Sequence, residues 1–296
     1  MATIEFTEEQ TMLLETAVDF CRKNSPLDGV RRQIELDDSV DAGIWSEMAD
    51  LGWLGITIPE QYGGLGLSLA DVVPIVESMG RHLMGSPYVP TVLAANALVV
   101  SGSEAQKNHW LPQIAAGAVA SMALTEEDGN WRLQEIQSQG VISGDAVSLS
   151  GKKCFVLDAP KAGVIVVSAM IDGAPRLVLV QADQLPTNAL TRETVIDETR
   201  RSYTLNLEGI TVPAVQVLDG ADFASIEQAA LLLLTAEMAG GLAGVLHVIV
   251  DYLTTRKQFD QYIGSYQSLK HPSVQILLSM EAVSYTHLRA HETRGN

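Results

Sequence analysis

Apolar positions early in the chain recur at the spacing of one helical face: Leu13, Leu14, Ala17, Phe20 and Cys21 follow the capping-box pair Thr7 and Gln10. This predicts a helix from about Glu8 to Lys23. The same reasoning predicts helices over Ala42–Leu51, over Leu69–His82 behind the cap Ser68, and over Thr91–Val100. Ser103 with Gln106 repeats the capping signal ahead of a helix ending near Gly117. Pro59, Gly63, Gly64 and Gly66 punctuate a turn-rich connection between the second and third of these helices.

From Ala118 the period changes. Short runs of β-branched and apolar residues, separated by Gly, Asp and Pro, cover Val119–Thr125, Gly140–Ile142, Val147–Leu149, Lys153–Leu157, Val164–Ala169 and Leu177–Val180. Tyr203–Leu207 and Val215–Leu218 continue the pattern, with Pro213 marking a sheet edge or connection. After Gly220 the helical period returns over Phe223–Lys257 and, past Gly264, over Ser268 to about Val283. The fold class expected is α+β, in four stretches: an N-terminal helical domain (1–117), a middle β domain (118–220), the start of an incomplete C-terminal helical bundle (221–283) and a tail (284–296).

Composition narrows the partners. With 296 residues and 47% hydrophobic content the chain is long enough for more than one core. Nineteen basic against 36 acidic side chains give a formal charge of −17, which repels phosphate backbones and argues against nucleic acid as a partner. Met1–Phe6 lacks the cationic start and apolar run of a secretory signal, and Cys21 and Cys154 read as free thiols in a reducing cytoplasm. Ala229–Val250 is apolar and long enough to cross a bilayer, with Gly240 and Gly244 at helix-packing spacing. Glu237 near its middle favours a buried helix over a membrane span.

Local motifs exclude more than they assign. Pro59–Gly66 has no Walker lysine and no dinucleotide fingerprint, so it reads as a tight loop needing positive backbone angles. No Gly-x-Ser-x-Gly elbow occurs, and the histidines before Val283 have no ligand spacing. No metal site is expected, and the i, i+4 pair His287 and His291 in the tail only imitates one.

Read in order, several segments resemble the acyl-CoA dehydrogenases. They are Leu51-Gly52-Trp53, Pro59–Gly66, Gly102–Lys107 with Trp110-Leu-Pro112, Met122-Ala-Leu-Thr-Glu126, Gly151-Lys-Lys-Cys-Phe155, Asp197–Arg200, Thr211-Val-Pro213, and Arg256-Lys-Gln-Phe259 ahead of Ile263-Gly264 and Gln267. The resemblance implies FAD as cofactor, an acyl-CoA thioester as substrate, an electron-transferring flavoprotein as electron acceptor, and a homo- or hetero-oligomer. By position, Thr125 matches a residue whose hydroxyl contacts the flavin ring, and Phe155 the aromatic, usually tryptophan, that packs against it. Arg256, Phe259 and Gln267 match positions that reach the adenine and pyrophosphate of a neighbouring subunit's FAD.

Four departures qualify what the resemblance implies. Glu127, Asp128, Gly129, Asn130 and Trp131 follow Glu126 where the family commonly has a Gly-Ser-Asp element binding the FAD pyrophosphate. Leu157 replaces a hydroxyl residue that bonds flavin N5, and Asp260 stands where glycine usually follows the phenylalanine. Beyond Val283 the polar tail reads as foreign to the family, a product of assembly or cloning, and the base glutamate falls in the replaced part. The alternative base position falls near Ala230, and Glu237, two turns on, reads as structural. The sequence thus assigns no catalytic residue. It predicts an acyl-CoA dehydrogenase of which this chain is an inactive fragment, or a non-catalytic partner subunit of a hetero-oligomeric dehydrogenase.

Overall fold

A computed structural model describes residues 8–36 and 41–292, with side chains over 11–36 and 41–280. Six helices come first: α1 (Glu8–Asn24), α2 (Leu27–Glu35), α3 (Ala42–Asp50), α4 (Leu69–Arg81), α5 (Tyr88–Ser101) and α6 (Glu104–Ala115). Nine strands follow: β1 (Ala120–Ala123), β2 (Gln139–Ser143), β3 (Ala146–Ser150), β4 (Lys152–Leu157), β5 (Val164–Ile171), β6 (Ala174–Gln181), β7 (Leu190–Arg192), β8 (Ser202–Asn206) and β9 (Thr211–Pro213). The chain then returns to helix in α7 (Phe223–Thr255), turns through the hairpin β10 (Lys257–Gln258) and β11 (Gln261–Tyr262), and enters α8 (Gln267–Glu292). Helical, β and helical segments follow one another in the predicted α+β order.

The differences from expectation have local causes. Helix α2 has no counterpart in the sequence reading: only Val30 of its side chains is buried, so its apolar signal is too thin to register. Val215–Leu218 is not a strand. Pro213 ends β9, Ala214–Gln216 forms a 3-10 turn, and only Val217 bridges back, to Val178. The strand at this point is instead Thr211–Pro213, which pairs with β3 at the end of its sheet, where a proline without a donor is tolerated. Backbone helix continues past Val283 to Glu292. The side chains of His287 and His291 lie outside the described residues, as does Thr7 of the first capping pair.

The described residues divide into two compact units. One draws on 31–69 and 85–231. It holds a six-stranded sheet (order β1-β5-β2-β3-β9, with β6 on the other side of β5) and a three-stranded sheet (β4-β8-β7). Strand β5 is apolar on both faces, Ser168 apart, because both faces are covered. Val164 and Val166 pack with Ala95, Leu98, Leu111 and Ile114 of the helices, whereas Ile165, Val167 and Ile171 pack with Val156, Leu205 and Val212 of the other strands. Helix α5 is tied to β1 by Thr91, fully buried, whose hydroxyl donates to the Ala120 carbonyl (3.0 Å) and accepts from its N–H (3.2 Å). Thr91→Val keeps the shape and strands both backbone groups. The expected loss is about 1–3 kcal/mol, read from the urea midpoint at unchanged slope. The glycine-rich stretch after Pro59 is the tight loop expected: Gly63 and Gly66 have φ of 83° and 64°, and the N–H groups of Leu65, Gly66 and Leu67 bond back to Gly55, Ile58 and Ile56.

The second unit combines the described parts of 1–30, 70–84 and 232–296. Its α7 is long and apolar enough to cross a membrane by length and composition alone. One face of that helix meets α4 at backbone contact: a Cβ on Gly240 would lie 1.9 Å from the Glu77 carbonyl oxygen, and one on Gly244 2.5 Å from that of Arg81. The reciprocal position on α4, Gly80, faces the Glu237 carbonyl at 2.0 Å. The paired glycines are therefore used in a helix crossing inside the protein. Cys21, buried in this unit, has its thiol pushed up to about 12 by desolvation, and both cysteines are free.

Candidate functional site

Two sets of matched residues lie in different units, and each is described by itself. In the strand-bearing unit, Thr125 sits just past β1 and makes an antiparallel bridge with Cys154. The Cys154 N–H donates to the Thr125 carbonyl (2.9 Å), and the Thr125 hydroxyl donates to the Cys154 carbonyl (2.6 Å). Phe155 is next in β4, so the bridge sets Thr125 one residue away from Phe155 across the strand pair.

Phe155 owes its orientation to a bulge. The β4–β8 register slips between Lys153 and Val156, and Phe155 takes φ of 56°, a left-handed conformation costly for a residue with a side chain. Glu193 holds it there. Its carboxylate accepts the Phe155 N–H (3.2 and 3.3 Å), the Ser202 hydroxyl (2.6 Å) and the Thr204 hydroxyl (2.7 Å). The ring is 47% exposed and stacks on Trp131, with centroids 5.8 Å apart and planes inclined by 26°.

Beneath the bridge lies a buried ion pair. The Lys153 side chain, fully enclosed, places Nζ 2.6 Å from Glu126 Oε1 and 2.9 Å from the Ser168 hydroxyl. Glu126 also accepts the Ser138 N–H (2.9 Å), the Ser138 hydroxyl (2.7 Å) and the Gln137 N–H (2.8 Å). Burial raises the carboxyl's pKa, but these donors outweigh it and hold the group below the ordinary carboxylate range. Sequence reading missed Lys153, Glu193 and the Trp131 stack.

Glu126, Glu127 and Asp128 border an open cleft of about 380 Å³ whose lining also includes Glu208, with Lys152 as its basic member. Lys152 is paired to Glu127 at 3.3 Å. The loop is tied to itself: Asp128 accepts the Asn130 N–H and the Gln137 amide, and Asn130 accepts the Arg132 N–H.

These residues do not fit a flavin dinucleotide held by this unit. A pyrophosphate needs donors and cations, and the cleft presents four carboxylates. On the ring side the Thr125 hydroxyl and the Phe155 N–H are already bonded within the chain, the Leu157 side chain has no donor, and Trp131 lies against Phe155.

In the second unit, Arg256 follows the end of α7 and lies over the Tyr252 ring (5.4 Å to the centroid), donating to its hydroxyl. Phe259 and Asp260 form the two-residue turn of the β10–β11 hairpin, at φ of 52° and 60°. Both central positions are left-handed, as a type I′ turn requires, which is the physical reason a glycine suits position 260. Phe259 is 88% exposed at the tip, and Gln267 opens α8. Ala230 carries no proton-accepting group; Glu237 is half-buried, and its carbonyl backs Gly80 in the helix crossing. Among the described residues no cluster of metal-ligating side chains occurs.

Comparison with known proteins agrees with this architecture. Residues 7–118 match the family model of the acyl-CoA dehydrogenase N-terminal domain. Acyl-CoA dehydrogenase fadE12 of Mycobacterium tuberculosis is 29% identical over 255 residues, covering 80% of this chain and 65% of that protein. The chain thus spans just under two thirds of that relative's length. Acyl-CoA dehydrogenase IpdE2 of the same species is 29% identical over 277 residues, covering 93% of this chain and 73% of that protein. Among solved structures, the ChsE4–ChsE5 complex from Mycobacterium tuberculosis superposes with a TM-score of 0.86 at 26% identity, covering 98% of this chain and 80% of the matched chain. Residues 7–118 thus match the N-terminal domain of the acyl-CoA dehydrogenases, and from there through the strand-bearing segment to the long helices the chain is similar in sequence and fold to members of that family.

Proposed function

We propose that this chain is a non-catalytic partner subunit in a cytoplasmic acyl-CoA dehydrogenase built from two kinds of subunit. The assembly carries out α,β-dehydrogenation of an acyl-CoA thioester and passes the electrons to an electron-transferring flavoprotein. FAD supplies the hydride acceptor when bound. The observation that carries the reading is the loop after Thr125, where Glu127, Asp128 and Trp131 stand in place of phosphate-binding residues.

The chain's contribution lies on its other unit. Arg256, Phe259 and Gln267 surround an outward hairpin, and the family resemblance assigns these positions to a neighbour's FAD. A guanidinium suits pyrophosphate, as does a helix N-terminus such as the one Gln267 opens, and an exposed aromatic suits adenine. An apolar stripe on α7 (Leu234, Met238, Leu242, Val245, Val248 and Tyr252) recurs at helical spacing and is exposed, as a subunit contact would be before assembly.

Purified alone, the intact protein is expected to lack flavin absorbance and to reduce no acceptor with acyl-CoA. Co-expressed with a catalytic acyl-CoA dehydrogenase subunit, it is expected to co-purify in a yellow, active complex. Turnover by the protein alone sinks the reading.

A second reading, an FAD-dependent acyl-CoA dehydrogenase in its own right, is favoured by the retained Thr125–Cys154 bridge beside an outward Phe155. It requires a base beyond the described residues, since Ala230 takes no proton.

A further inference from the structure

Trp45, Trp53 and Trp110 are buried, whereas Trp131 is 65% exposed, and its indole lies nearly parallel to the ring of Phe155. Its two chain neighbours are fastened: the Asn130 N–H and side chain bond to Asp128 and Glu135, and the Arg132 guanidinium pairs with Glu135 at 2.9 Å. The indole is thus carried by an anchored turn. Phe155 is itself fixed in a strained conformation by Glu193, so two planar rings are held against each other by separate hydrogen-bond networks.

A left-handed phenylalanine held half-exposed is a costly way to place a ring that packs no core. Its outward face is a stacking surface for a flat heterocycle, and Trp131 takes part of that surface. We propose that Trp131 is a built-in cap that closes the Phe155 platform to an isoalloxazine ring. The inference rests on the partner-subunit reading only in naming the excluded ring as a flavin. The cap acts on the ring, and the neighbouring acids act on the phosphates, so the two exclusions are separable.

The test uses the intact protein and two probes: lumiflavin, which has the ring without phosphate, and FAD. Flavin fluorescence is titrated against wild type, Trp131→Ala, and Trp131→Ala combined with Phe155→Ala. Removing an exposed indole should leave the fold intact, and Trp131→Leu, bulky but not planar, serves if the alanine variant does not fold. The expected result is a gain of about tenfold in lumiflavin affinity for Trp131→Ala, abolished by the added Phe155→Ala. Lumiflavin binding without FAD binding supports the cap and assigns phosphate exclusion to Glu127 and Asp128; binding of both probes also supports it. Equal lumiflavin affinity in wild type and Trp131→Ala, no binding by either, or a gain that survives Phe155→Ala overturns it. Failure of the subunit reading appears in a different assay, as turnover by the unmodified protein alone.

Discussion

Gly240→Val is expected to cost about 4 kcal/mol or more, enough to abolish most of the stability of a typical domain. The reason is geometric. A Cβ at this position would sit 1.9 Å from the Glu77 carbonyl oxygen and 2.9 Å from the Arg81 backbone nitrogen, and neither is a flexible side-chain end that can swing away. The two helices would have to separate along a contact that also includes Gly80 and Gly244, so the strain spreads over several residues. The next residue supplies the control. A Cβ on Gly241 meets nothing nearer than the Gly80 carbonyl at 3.8 Å, an ordinary contact, so Gly241→Ala has room. Alanine removes glycine's entropic penalty in a helix, and the expected outcome is a gain of about 0.5–1 kcal/mol. Adjacent glycines in one helix thus give opposite signs. Guanidinium denaturation of both variants, compared at constant slope, checks the pair. Equal effects at 240 and 241 would show that helix propensity, and not the crossing, dominates.

That crossing shows what the sequence could and could not disclose. Gly240 and Gly244 were legible as a packing motif, because small residues four apart on one face have few other uses. Their partner was not. Gly80 lies far back in the chain, in an unremarked position of α4, and only the fold brings it to Glu237. The long apolar strands were legible for the same kind of reason: Val164–Ile171 is apolar on both faces, Ser168 apart, because helices cover one side and strands the other. The bulge at Phe155 was not. Strict alternation would set Lys153, Phe155 and Leu157 on one face, whereas Lys153, Val156 and Asp158 are the buried residues. One extra residue flips the phase and turns the aromatic outward. Resemblance located Thr125 and Phe155, but the groups that hold and cover them are 24 and 38 residues from Phe155 in sequence, Trp131 and Glu193. Contacts at such separation leave no periodic trace.

Glu126→Ala is the second change with a large expected effect, and its dependence on pH identifies the cause. Lys153 is fully enclosed, and without Glu126 its ammonium keeps the Ser168 hydroxyl and loses its carboxylate. Breaking a buried pair from one side costs about 3–5 kcal/mol, chiefly the price of an uncompensated charge. Lys153→Met is milder, because Glu126 retains the Ser138 N–H, the Ser138 hydroxyl and the Gln137 N–H. In the wild type the Glu126 carboxyl titrates below its unfolded value, so its contribution is present above about pH 4.3 and is lost as pH falls through the folded pKa. That acid slope should vanish in Glu126→Ala. At the other end, burial lowers the Lys153 pKa, and removing the carboxylate that opposes this shift lowers it further. A folded state that releases its proton before the unfolded state does gains stability as pH rises, so Glu126→Ala should recover part of its loss between neutral pH and about pH 10. Urea midpoints across that range measure both slopes. A variant equally weakened at every pH would place the loss in packing and not in the stranded charge. Because Glu126 follows Thr125 and Lys153 precedes Cys154, the pair clasps the bridge that sets Thr125 beside Phe155, so the same variant should also disturb the Trp131–Phe155 stack.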